Sequence, residues 1–138
     1  MTIKSRILAT LVGFVVLFLL GWLFYGALLM DFYVSNSGSA TGLNRAEDEM
    51  VWWALILGNV FQAYLLVYIF GTWAQIKTFM GGLQGGAIIG LILGFGLNLS
   101  WYGTSNAMNL TATLVDPFVT AIMLGITGGA IGWMLGRE

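Results

Sequence analysis

Apolar residues run almost unbroken over 7–30, 50–70, 80–102 and 117–136, and the polar residues collect between these runs. Each run reaches the roughly 20 residues that carry a helix across a bilayer core. A backbone in hydrocarbon has no water to bond to and satisfies its own N–H and C=O groups as helix. The pattern therefore predicts an all-α, polytopic membrane protein of four transmembrane helices in a single domain, 1–138. Ser37, Gly38, Ser39 and Ala40 have the small side chains a signal peptidase accepts, but the preceding apolar run is longer than a signal peptide's and lies too far away, so it reads as a retained span.

The segments between the runs give the boundaries. Residues 31–49 form the long hydrophilic connection, rich in Ser, Gly and Asn at first and then acidic, and read as an extracytoplasmic loop. Asn44 with Glu47 three residues on resembles a capping box leading into the second span. A short connection over 71–79 carries Lys77. Residues 103–115 are uncharged but rich in hydroxyls and amides, and read as a loop or a dipping helix. Asp116 followed by Pro117 has the form of an N-cap and first helical residue, which would start the fourth span there.

Within the third run Gly82, Gly86, Gly90 and Gly94 recur every fourth residue, with Asn98 next in the series, and the fourth run carries Gly128, Gly132 and Gly136. On a helix such positions share one stripe. A stripe without side chains lets another backbone approach closely, the usual basis of helix association in lipid. The partner is a helix of the same chain or the seam of a homo-oligomer. A weak internal similarity, Ala54–Gly58 with Ala121–Gly125 and Phe24–Gly26 with Trp101–Gly103, fits a parallel repeat or coincidence equally.

Composition sharpens the class. The chain is 59% hydrophobic and 8% charged, with a mean hydropathy of +0.90, and it has neither Cys nor His. That removes disulfides, thiolate metal sites and the commonest general base, and nothing calls for a cofactor. Five basic residues spread over several segments make no phosphate-binding patch, so nucleic acid is excluded as a partner. Four of the five, Lys4, Arg6, Lys77 and Arg137, fall on one side of a four-span chain, and Arg45 falls on the other. The positive-inside rule then places both termini in the cytoplasm, as for a bacterial inner-membrane protein. Trp22, Tyr25, Trp52, Trp53, Trp101 and Tyr102 mark the outer boundary, and Tyr68, Trp73, Phe79 and Trp133 the inner one.

Two polar groupings are candidates for chemistry. Asn59 and Gln62 lie mid-span at i, i+3 and are expected to face the bundle, either as interhelical glue or lining a pocket for a small amphipathic ligand. An outer set, Asn98, Ser100, Asn106, Asn109 and Asp116 with Tyr25 and the acids 47–49, serves capping and loop solvation or binds a hard cation, though no EF-hand spacing is present. No triad, metal motif or phosphate loop appears, and Asp116 has no base or nucleophile beside it in the sequence.

The segment Gly21-Trp22-Leu23-Phe24-Tyr25-Gly26-Ala27-Leu28-Leu29-Met30-Asp31-Phe32-Tyr33, with the glycine-spaced third run and the Asn that follows it, resembles a bacterial domain family of four short membrane helices and no assigned function. The resemblance extends over nearly the whole chain. It implies the same four-helix architecture and carries over no catalytic residue. The expectation is a non-enzymatic binding or accessory module, self-associating or part of a larger membrane complex. The alternative is a small-solute transporter or channel with a polar pathway through Asn98, Asp116, Asn59 and Gln62.

Overall fold

The computed structural model describes residues 2–39 and 47–137, and Asn44 and Arg45 lie outside them. The order is α1 (Ile3–Leu23), prolonged by a π-helical segment (Phe24–Leu28), α2 (Met30–Ser35), a 3-10 turn (Glu47–Glu49), α3 (Trp52–Tyr68), prolonged by a second π segment (Ile69–Ala74), α4 (Phe79–Thr104) and α5 (Leu110–Leu135). Four stretches, Ile3–Leu28, Trp52–Ala74, Phe79–Thr104 and Leu110–Leu135, are long and apolar enough to cross a membrane. The protein is an all-α, multi-pass membrane protein, and no β-strand occurs among the described residues. One end of the bundle carries Lys4, Arg6, Lys77 and Arg137 and is called the basic end; Tyr25, Tyr33 and Asp116 mark the other, the tyrosine end.

Three boundaries differ from those the sequence predicts. The fourth span starts at Leu110, seven residues before Pro117, and its N-cap is Asn109, whose side chain accepts from the Ala112 N–H at 2.9 Å. Asp116 is therefore no cap, and Pro117 lies inside the helix. An Asp-Pro pair reads as a helix start because in water an interior proline costs a hydrogen bond. In a membrane bundle neighbouring helices accommodate the break, and Pro117 is buried against α4. The second span continues as a π segment to Ala74, and Gln75 ends it in the left-handed conformation (φ 52°). Finally, the expected 31–49 loop begins as helix α2.

The core gathers around α5. Val119, Met123, Leu124, Ile131 and Leu135 pack with Ala9 and Leu17 of α1 and with Leu66, Val67 and Phe70 of the second span. Gly13 of α1 lies under the Ile131 side chain and beside Ala63, so three helices meet at one small residue. Thr127, four residues before Ile131, is fully buried there, and its hydroxyl has no hydrogen-bond partner.

Helix α4 joins this core by a single face. Its buried residues are Gly82, Gly86, Gly90, Gly94 and Asn98, the five positions of the glycine stripe. A Cβ on Gly82 would run into the Gly128 carbonyl, and one on Gly86 into that of Leu124. At Gly90 it would come within 2.8 Å of the Thr120 carbonyl, and at Gly94 within 2.9 Å of Pro117 Cα. From the other side Gly128 meets the Gly82 carbonyl, Gly132 that of Thr78 and Gly136 that of Lys77. The two helices are antiparallel and touch backbone to backbone along most of their length, so dispersion contacts between main chains replace side-chain packing.

Candidate functional site

At the tyrosine end one carboxylate ties four elements together. Asp116 of α5 accepts on Oδ1 from the hydroxyls of Tyr25 (2.7 Å) and Tyr33 (2.5 Å), and on Oδ2 from Asn98 Nδ2 of α4 (2.9 Å). Asn98 is 8% exposed, and its second amide hydrogen goes to the Gly94 carbonyl at 2.8 Å. Both of its partners are acceptors, which fixes which amide atom is the nitrogen.

Local backbone geometry makes this convergence possible. The π segment after α1 widens the turn that carries Tyr25, and the chain breaks at Leu29 (φ −112°, ψ 9°) before α2 begins. That break brings Tyr33 back over α5, where the two phenol rings stand 5.2 Å apart. Desolvation, then the hydrogen bond to Asp116, pushes the Tyr33 phenol well above its usual pKa and keeps it a donor. A second tie lies further out. Asn109 donates from its backbone to the Asn36 carbonyl and from its side chain to Asn36 Oδ1, both at 3.0 Å. Beside it the Gly38 N–H reaches the Ala107 carbonyl at 3.1 Å, and Ser37 pairs with Met108 in an isolated bridge.

The carboxylate closes one end of a groove. Helices α3 and α4 are linked over 75–78 and meet at the basic end, where Phe70 and Ile76 pack on Gly85. Further along they part around a cavity of about 450 Å3. Its walls are Gln62, Leu65 and Leu66 on one side and Leu93, Leu97 and Trp101 on the other. Gly94, Asn98, Asp116, Thr120 and Leu124 complete it, so α5 supplies the floor. Leu65, Leu93, Leu97 and Trp101 are all exposed, which leaves the groove open sideways, towards lipid in a membrane.

The structure thus brings Tyr25, Asn98, Asp116 and Gln62 to one region and leaves Asn59 apart. Asn59 Nδ2 donates to the Leu55 carbonyl of its own helix at 2.8 Å, and its side chain makes no other hydrogen bond among the described residues. Ser100 contributes only its carbonyl, to Thr104. Tyr33 is the member that sequence reasoning missed. Its eight-residue distance from Tyr25, two helical turns, was the available signal, and the expectation of a loop concealed it. Among the described residues no three His, Cys, Asp or Glu side chains gather as a metal site would require. Comparison of the chain with protein-family models, with curated proteins and with solved structures found no match.

Proposed function

We propose that this protein is a non-enzymatic membrane binding module whose groove between α3 and α4 takes a small amphipathic molecule from the bilayer. The observation behind it is the groove itself: lined mainly by apolar residues, five of them leucines, open to the side, and ended by Asn98 and Asp116, with Gln62 on its wall. Its volume lies in the range of small-molecule sites, and a few converging polar groups in an apolar cleft are their usual form. The distribution of basic residues supports both termini on the cytoplasmic side of a bacterial inner membrane, with the tyrosine end outward. Association with a second copy or a larger assembly belongs to the same reading, and cross-linking from Gly58, which has open space around it, tests that part.

The transporter reading needs a polar path from Asn98 and Asp116 past Gln62 and Asn59. Asn59 bonds within its own helix, and beyond the groove α4 and α5 meet as bare backbone, so the observations favour binding over passage. An enzymatic reading has less behind it, because Asp116 is held by three donors, two of them phenols, and among the described residues no hydrogen bond joins it to a second carboxylate or to an amine.

Native mass spectrometry of protein released from nanodiscs tests the proposal. A retained amphipathic molecule, lost when Leu97→Trp fills the groove, is the expected result. An equally unliganded wild type and variant, together with solute flux in liposomes, would overturn it in favour of the transporter.

A further inference from the structure

We propose that the groove selects its occupant by headgroup, taking a single-chain amphipathic molecule that ends in a primary ammonium and discriminating against anionic heads. This rests on the binding reading above and adds what recognises the head.

The hydrogen-bond inventory is one-sided. A carboxylate oxygen has two lone-pair sites. Oδ1 of Asp116 is filled by the two phenols, whereas among the described residues Oδ2 accepts from Asn98 alone and so keeps one site. Asn98 has committed both amide hydrogens, which leaves its Oδ1 as a further acceptor. Both residues line the groove. Gln62, on the opposite wall, makes no hydrogen bond among the described residues, and an amide left open within a membrane span requires a partner. The site therefore presents a carboxylate and an amide oxygen to a ligand, with one amide that both donates and accepts.

Charge points the same way. Among the described residues every Lys and Arg lies at the basic end, so none of these cations meets Asp116 or lines the groove to receive a phosphate or sulfate. Acids within membrane helices pair with a counter-charge or line a functional path. Trp101 adds an indole to the lining of the same groove, and an aromatic face is favourable to an ammonium.

Depth fits a chain that hangs inward. Asp116 lies six residues from the start of α5, or about 9 Å along the axis, while Gln62 lies ten residues into α3, about 15 Å. An ammonium at Asp116 Oδ2 places its hydrocarbon against Leu97, Leu93, Leu65 and Leu66, running towards mid-bilayer. That is the posture of a lipid-like molecule within one leaflet.

The test uses the full chain in phosphatidylcholine nanodiscs with nitroxide-labelled single-chain probes ending in ammonium, hydroxyl or sulfate. Electron paramagnetic resonance reads the immobilised fraction of each. The expected order is ammonium, hydroxyl, sulfate, with the first favoured over the last by about tenfold, the size of one charged hydrogen bond. Asp116→Asn should collapse that ranking, and Gln62→Leu, which leaves the tyrosine ties intact, should weaken all three probes without reordering them. Equal immobilisation of the three by the unmodified protein overturns the headgroup inference and leaves the groove reading standing. Immobilisation of none overturns both.

Discussion

Helix α4 has two contrasting sides. Towards α5 it is a row of glycines in main-chain contact with the next helix, and no methyl group fits between them. Towards α3 it presents Leu93, Leu97 and Trp101 across an open groove. Both sides lie in the same apolar surroundings, so hydrophobicity does not distinguish them. In a solvent of hydrocarbon, helices adhere where their shapes allow close approach and stay apart where bulky side chains prevent it. Small residues close the α5 side, and large ones stand along the open α3 side.

The sharpest way to break this comparison is to put the same side chain on the seam and on an open face of α4. Gly86→Leu drives a side chain into the Leu124 carbonyl and should cost roughly 3 kcal/mol or more, seen as loss of monodisperse protein in detergent and a collapse of Tm. Gly96→Leu, at a position with nothing within 4 Å, should change stability by less than about 0.5 kcal/mol. Equal effects of the two would mean that the seam is not where α4 is held.

Next in size is the carboxylate tie. Tyr33→Phe removes one hydrogen bond to Asp116 and should lower stability by about 1.5–3 kcal/mol, while freeing α2 to exchange its amide hydrogens faster. The same phenol gives a pH signature. Unfolded, it loses its proton near its ordinary pKa of 10.0; folded, it holds the proton to higher pH. Above that point the folded state binds more protons than the unfolded one, so Tm should fall as pH rises beyond 10, and the fall should be smaller in Tyr33→Phe. The smallest effect belongs to Asn59→Leu, expected within about 0.5 kcal/mol of wild type by the same melting assay, because its amide bonds only its own helix.

The four spans were legible because length and apolarity suffice to define them. The glycine series likewise marked the one buried face of α4 directly. The rest depended on information that local pattern does not hold. Asp116-Pro117 carries the grammar of a helix start in water, and only the neighbouring Gly94 and the surrounding bilayer make it an interior pair. Tyr33 joins the site through a π segment and a break at Leu29 that composition does not signal. Asn59 and Gln62 share a helix face by spacing, but a helix that is apolar all round gives no hint of which way it turns. Only the packing of Ala63, Leu66 and Val67 on the core sets Gln62 into the groove and leaves Asn59 to its own backbone.

The centrality of α5 bears on how the protein is made. It is the last of the four spans to leave the ribosome, yet α4 and α1 both pack along it, while α3 packs mainly on α1. Until it inserts, α4 waits in the bilayer with its glycine face uncovered, and Tyr25, Tyr33 and Asn98 wait without the carboxylate that joins them. Insertion of α5 therefore completes the core, the seam and the site together. Nascent chains stalled before Leu110 would hold α1 against α3 but leave the glycine face of α4 uncovered, and these are the species that membrane quality control would meet.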